Sequence, residues 1–79
     1  MKNENLESEI IDRLKSKGVE PLIGGLIPEK YTAELLGYSP SYFRRLSSGG
    51  GQVIPYILRG NRRLYRVGDI ATFVAKTIQ

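Results

Sequence analysis

Residues 29–46 read EKYTAELLGYSPSYFRRL, and this stretch decides the fold that the sequence predicts. Glu29 to Leu36 has apolar residues at helical spacing and is followed by Gly37, which readily adopts the left-handed conformation that ends a helix. Ser39 then offers an N-cap, and Pro40 suits the first position of a second helix. Two helices joined by about three residues are typical of a helix-turn-helix. The sequence therefore predicts this motif over roughly residues 29–46.

The second helix of the motif has an apolar face and a polar face. Phe43 and Leu46 lie three residues apart and form the apolar face, and the small Ala33 lets the two helices approach closely. The polar residues that we predict to contact DNA are Ser39, Ser41, Tyr42, Arg44 and Arg45. Arginine can bind a guanine edge through two hydrogen bonds, and a hydroxyl can bind phosphate or base. This pattern favours a helix that enters the major groove. The alternative is an ordinary helical hairpin in a small helical domain.

A β-hairpin is predicted directly after the helix-turn-helix. Residues 53–59 are rich in β-branched and aromatic residues, which predicts a strand, and Pro55 indicates that it is an edge strand. Gly60-Asn61 is a turn dipeptide, after which residues 62–67 return as the second strand. A two-stranded ribbon is unstable alone, so we expect Leu64 or Tyr65 to dock it on the helices. The hairpin residues that we predict to contact phosphates or the minor groove are Arg59, Asn61, Arg62, Arg63 and Arg66. The alternative is a solvent-exposed hairpin whose charges prevent edge pairing.

The flanking segments predict two further helices. The first helix is predicted over Asn5–Lys17, with Asn5 as its N-cap and Gly18 as its stop. One apolar stripe of this helix consists of Leu6, Ile10, Ile11 and Leu14. We expect the stripe to pack either on the basic domain or on a second copy of the protein. Val19–Ile27 is predicted to be a connector that lies across the core, and Ser47–Gln52 a loop. Asp69–Thr77 is predicted to be a closing helix with core positions Ile70, Phe73, Val74 and Ile78. We therefore divide the chain into residues 1–26 (helix and connector) and residues 27–79 (DNA-binding domain).

Composition narrows the classes of function. The chain of 79 residues has a net charge of +4, and all six arginines of its second part lie between Arg44 and Arg66. Clustered arginines favour a phosphate-binding surface, although a solvated basic face is the alternative. Without Cys or His, thiolate metal sites and imidazole catalysis are excluded, and no acidic residues form a recognisable catalytic pattern. We expect no enzymatic activity, no cofactor, no metal and no membrane span, and a cytoplasmic, nucleoid-associated location.

The predicted elements resemble a known group of proteins. Helix-turn-helix, hairpin wing and closing helix, over about residues 27–75, resemble MerR-like winged helix-turn-helix domains, in particular small excisionases and AlpA-like phage regulators. The residues that carry the resemblance are those at 31–37, 39–46, 54–55, 60–66, 69–70 and 73–74. The resemblance implies a mainly α fold with a small β-hairpin, preceded here by an N-terminal helix. It also implies that the second helix lies in the major groove, that Arg63 meets DNA and that Tyr65 packs inward. The chain departs from the family at Leu46, where Trp is frequent, and in the glycine-rich loop before the wing.

The resemblance also implies partners. Because the chain ends at Gln79, we expect a stand-alone binder of double-stranded DNA rather than a full MerR-type regulator with a sensor domain. An excisionase would act with an integrase or recombinase, and a small transcriptional regulator of a mobile element would act with RNA polymerase. Self-association through the N-terminal helix predicts inverted repeats in the target, whereas head-to-tail stacking predicts direct repeats. Alternatives from other classes are a protein-interaction adaptor that uses the N-terminal helix, and an RNA-binding protein.

Overall fold

The computed structural model describes residues 2–48 and 54–77, which form four helices and a three-stranded antiparallel sheet. The elements in chain order are α1 (Lys2–Ser16), β1 (Leu26–Pro28), α2 (Glu29–Leu36), α3 (Pro40–Ser48), β2 (Ile57–Arg59), β3 (Arg62–Arg66) and α4 (Val67–Thr77). The predicted mainly α fold class with a small β-hairpin is confirmed. The predicted loop 49–52, Val53 and the core position Ile78 lie outside the described residues.

The α2–α3 pair follows the local signals in the sequence. Gly37 closes α2 with a φ of 84°, and the Ser39 hydroxyl accepts a hydrogen bond from the backbone N–H of Tyr42 at 3.2 Å. Phe43 is completely buried, as predicted. The prediction that a loop begins at Ser47 was wrong, because α3 continues to Ser48. Ser47 is buried and hydrogen-bonded to Tyr65, so tertiary contact extends this helix beyond its apolar stripe.

The sheet contains one strand more than the predicted hairpin. Its order is β1-β3-β2, and β1 pairs with β3 through the registers Leu26↔Arg66, Ile27↔Tyr65 and Pro28↔Leu64. Residues 19–27 were predicted to be only a connector, and that prediction missed β1. A three-residue strand is too short to show an alternating pattern, and it is visible only through its partner. Its position at the sheet edge tolerates Pro28, which lacks a backbone donor.

The predicted hairpin is present, with shorter strands. β2 begins at Ile57, after Ile54, which is buried in the core, and Pro55, which has no amide donor for strand pairing. Gly60 has a φ of 64°, the sign that the first position of a type II′ hairpin turn requires. β3 ends at Arg66, and Val67, predicted to be in the strand, instead starts α4 two residues before the predicted Asp69. Both predicted docking residues, Leu64 and Tyr65, are buried.

Helix α1 packs against α4 and shares the hydrophobic core with the rest of the chain. Ile10 and Leu14 are buried in the same cluster as Ile70 and Ala71, and Leu6 and Ile11 are partly buried against it. The α1 stripe therefore packs on the basic part of the chain, one of the two predicted partners. The predicted N-cap at Asn5 was wrong, since α1 already includes Lys2. The predicted division after residue 26 falls inside β1.

Among the residues that the structure describes, no helix is both long enough and apolar enough to cross a membrane.

Candidate nucleic-acid interface

The exposed face of α3 carries two arginines that point in different directions. Arg44 and Arg45 are both exposed, whereas Phe43 and Ser47 face the core. Successive residues of an α-helix are about 100° apart around its axis, so Arg44 and Arg45 lie on either side of exposed Ser41. The predicted recognition surface therefore has a serine in its centre and one arginine along each border.

The side of the α3 face that carries Arg45 lies next to aromatic side chains. The Arg45 guanidinium lies 5.9 Å from the ring centroid of Tyr42, which is 45% exposed. Tyr42 in turn packs against Tyr38, with ring centroids 5.6 Å apart. A cation held over an aromatic ring has less freedom than an isolated surface arginine, so these contacts pre-orient Arg45. Ser39 accepts the capping hydrogen bond of α3, which uses part of the hydrogen-bonding capacity of its hydroxyl.

The Arg44 border faces the β2–β3 hairpin. An open groove of about 640 Å³ lies between them and is lined by residues from the end of β1, from α2 and α3, and from the hairpin. Its lining residues are Pro28, Glu29, Lys30, Tyr31, Arg44, Asn61, Arg62 and Arg63. We call this the basic groove. It unites one predicted residue of α3 with three predicted residues of the hairpin, although about 20 residues of chain separate the two sets.

The other predicted contact residues lie outside the lining of the basic groove. Arg59 is exposed and pairs in register with Arg62 at the hairpin end, while Arg66 is exposed at the opposite end of β3, across from Leu26. The cap residue Ser39 also lies outside the lining, as do Ser41, Tyr42 and Arg45 of α3. Of the ten predicted residues, four therefore line the basic groove and six lie outside its lining.

Lys30 lines the basic groove and was missed in the sequence. It is exposed in the first turn of α2, and its ammonium lies 5.6 Å from the centroid of the Tyr31 ring. Nothing in the pattern around it distinguishes it from an ordinary surface lysine of a helix. Only the return of the hairpin next to the start of α2 places it beside Arg44 and Arg62.

A hydrogen-bonded cluster joins three elements beside the groove. The Tyr65 hydroxyl donates to Glu29 Oε2 at 2.9 Å and lies 2.7 Å from Ser47 Oγ. Because a tyrosine has one hydroxyl proton and Glu29 receives it, Ser47 is the donor to Tyr65. The cluster ties the first residue of α2 and the end of α3 to β3. Burial of its side chain is the largest cause that raises the pKa of Tyr65 to about 12.

Arg63 belongs more to this cluster than to the open surface. Its Nη1 lies 3.7 Å from Glu29 Oε2, its guanidinium lies 5.3 Å from the Tyr56 ring centroid, and its side chain is 22% exposed. A hydrogen-bonding interaction with Tyr56, followed by the Glu29 carboxylate, raises the pKa of Arg63, while partial desolvation opposes the rise. Arg63 therefore neutralises Glu29, and the predicted pair Arg62 and Arg63 separates into one exposed and one internally held residue.

The basic groove is strongly positive. Four cationic side chains and the single carboxylate of Glu29 line it, a formal charge of +3. The N-cap Pro28 provides no side-chain hydrogen bond to the first turn of α2, so the backbone amides at this helix end add to the positive potential. Such a groove attracts a polyanion and disfavours a cationic partner.

Comparison with known proteins gives no relative from which a function can be transferred. No protein-family model matches the chain, and neither the curated proteins nor the solved structures give a significant match.

Proposed function

We propose that this protein binds double-stranded DNA in a sequence-specific manner, with α3 in the major groove and the β2–β3 hairpin in the adjacent minor groove or on the backbone. The observation that carries the proposal is the basic groove, which Arg44 of α3 lines together with Asn61 and Arg62 of the hairpin tip. An exposed arginine-bearing helix and an exposed arginine-bearing turn on one side of a small domain suit two neighbouring features of one duplex.

The dimensions and chemistry of α3 support its role in the major groove. The helix is nine residues long, and the groove of B-DNA is about 12 Å wide, which admits an α-helix. Its buried residues anchor it to the core, so Ser41, Arg44 and Arg45 are presented on a rigid support. In this proposal α2, α3, the hairpin and α4 form a winged helix-turn-helix of the MerR-like kind.

We propose further that the protein acts as an excisionase, as a small transcriptional regulator of a mobile element, or as both. The two roles share the same contacts with DNA and differ in the arrangement of sites. An excisionase would bind adjacent direct repeats, bend them and promote recombination with an integrase, whereas a regulator would bind at a promoter. Site selection followed by a bending assay on the selected repeats separates the two roles.

The structure lends less support to an adaptor role for the N-terminal helix. That role needs the stripe of Leu6, Ile10 and Leu14 to be available to a partner. Leu14 is 1% exposed and Ile10 is 7% exposed, because both pack within the domain. A partner could use this stripe only if α1 left the core.

Fluorescence anisotropy with a labelled random-sequence DNA duplex over a salt series tests DNA binding. We expect wild-type binding that falls steeply with salt, and strong weakening in the double variant Arg44→Ala/Arg62→Ala. The matched control is Lys15→Ala/Lys76→Ala, which removes the same charge from exposed positions of α1 and α4.

Three results of that experiment would count against the proposal. Absence of wild-type binding at low salt would refute DNA binding. Equal weakening in the control variant would mean that net charge alone, and not the basic groove, attracts DNA. Equal or tighter binding to a duplex RNA of the same sequence would favour an RNA-binding function, because the deep, narrow major groove of RNA does not admit a helix.

A further inference from the structure

We infer that the basic groove holds the sugar-phosphate strand that separates the two DNA grooves, with Lys30 and Arg44 as phosphate-binding residues and Arg45 as the base-reading arginine. This inference rests on the proposed function and deepens it. It assigns a contact to Lys30 that the sequence did not indicate, and it gives the two adjacent arginines of α3 different tasks.

The major groove and the minor groove of B-DNA are separated by a phosphodiester strand. If α3 lies in the major groove and the hairpin in the neighbouring minor groove, that strand passes between α3 and the hairpin. The space between them is the basic groove, which has a volume of about 640 Å³ and is open to solvent.

The lining of the basic groove is rich in exposed cationic side chains. Lys30, Arg44 and Arg62 are exposed and cationic, and Asn61 adds an amide donor at the hairpin turn. None of these residues has a salt bridge to a carboxylate among the pairs that the structure describes. Glu29, the one carboxylate that lines the groove, is paired with Arg63. The exposed cations are therefore available to bind an anion. This is a site for phosphate rather than for a base edge.

Arg45 lies on a different side of α3 from Arg44. It lies about 100° around α3 from Arg44, beyond Ser41, on the side held by Tyr42. It does not line the basic groove. With α3 in the major groove, Arg44 faces the backbone and Arg45 faces the groove floor together with Ser41. Arginine at such a position can form two hydrogen bonds with guanine.

The test compares single variants on two probes, a random-sequence duplex and a duplex selected from a random library with the wild-type protein. Lys30→Ala and Arg44→Ala should weaken binding to both probes equally and lower the salt slope by about 0.9 each, the value for one lost phosphate contact. Arg45→Ala should weaken binding to the selected duplex by roughly tenfold to a hundredfold, with a much smaller effect on the random duplex. Lys30→Arg should retain the wild-type slope, and Lys15→Ala is the control for charge.

A second measurement locates the contacts. In the selected duplex, single phosphates are replaced in turn by neutral methylphosphonates, and each variant is titrated against the series. Lys30→Ala and Arg44→Ala should no longer weaken binding when the phosphate that each residue contacts is already neutral, as expected of direct partners in a double-mutant cycle. These phosphates should be the same one or neighbours. The loss caused by Arg45→Ala should persist at every position.

The inference is overturned if Arg44→Ala relaxes base specificity without changing the salt slope, or if Lys30→Ala binds as the wild type does. Its failure differs from failure of the proposed function, in which the wild type itself binds neither duplex. Circular dichroism of each variant checks that these exposed substitutions leave the fold intact.

Discussion

Two contacts between elements of the molecule, here called joints, are built from different kinds of interaction. The joint between α1 and α4 is apolar, with Ile10 and Leu14 packed in one cluster with Ile70 and Ala71. The joint between α3 and β3 combines the contact of the Phe43 and Tyr65 rings, 5.3 Å apart at their centroids, with the Ser47–Tyr65–Glu29 hydrogen bonds.

The difference shows how stability and site geometry are separated in this small domain. Apolar packing is strong but only weakly directional, so it stabilises the α1–α4 joint without defining one angle. Hydrogen bonds require specific distances and directions, so the Ser47–Tyr65–Glu29 hydrogen bonds favour one arrangement of α3 against β3. The polar joint lies beside the basic groove and sets the position of the hairpin arginines relative to Arg44.

Breaking the apolar joint should have the largest effect on stability. Leu14→Ala removes a side chain that is 1% exposed, and we expect it to lower the free energy of unfolding by about 2–5 kcal/mol. Urea denaturation measures the change. Leu58→Ala is the control, since Leu58 is 62% exposed and should change stability by no more than about 0.5 kcal/mol. Similar losses in both variants would contradict the assignment of the core to the α1–α4 joint.

High pH should weaken the polar joint selectively. The pKa of Tyr65 is raised from 10.0 to about 12 in the folded protein, so the folded state retains the hydroxyl proton that the unfolded state loses. Stability from this group is present below pH 10 and is lost as the pH rises towards 12, by about 2–3 kcal/mol. Denaturation at several pH values checks this. Tyr65→Phe should show a shallower decline, and an unchanged decline would assign it to other groups.

Removal of the Tyr65 hydroxyl at neutral pH should have a smaller effect. Tyr65→Phe removes the hydrogen bonds to Ser47 and Glu29, and among the described residues Glu29 keeps only its ion pair with Arg63, so we expect a loss of about 1–3 kcal/mol. Ser47→Ala breaks the same link from α3. The double variant should cost less than the two single losses added together, with a coupling of at least about 0.5 kcal/mol. Additive losses would show that Ser47 and Tyr65 stabilise the fold independently.

Arg62 and Arg63 provide the finest comparison, because they are adjacent and identical but differently placed. Arg63→Ala should cost about 1 kcal/mol of stability, since it removes the cation beside Glu29 and the contact with Tyr56. Arg62→Ala should leave stability within about 0.5 kcal/mol and weaken binding to a random duplex. Thermal unfolding and anisotropy on both variants separate these effects. Equal stability losses would contradict the different environments of the two residues.

Much of the helical structure was predictable because its signals are local. The cap at Ser39, the left-handed Gly37 and the apolar spacing of α2 depend on residues within one or two turns, and they predicted α2 and the start of α3 correctly. The hairpin turn at Gly60 was predictable for the same reason, since a two-residue loop requires an unusual φ. Strand β1 was not, because three residues carry no periodicity and their partner is about 40 residues away.

The candidate site also has features that the sequence predicted and features that it did not. Sequence alone determined which residues are arginines on a helix face and at a hairpin turn, because charge clustering and turn chemistry are properties of short segments. Only the tertiary structure decided that Arg44 faces the hairpin while Arg45 faces Tyr42, that Lys30 joins the basic groove, and that Arg63 pairs with Glu29. These outcomes depend on how α2, α3 and β3 pack together, and packing between distant segments leaves no periodic signal in the chain.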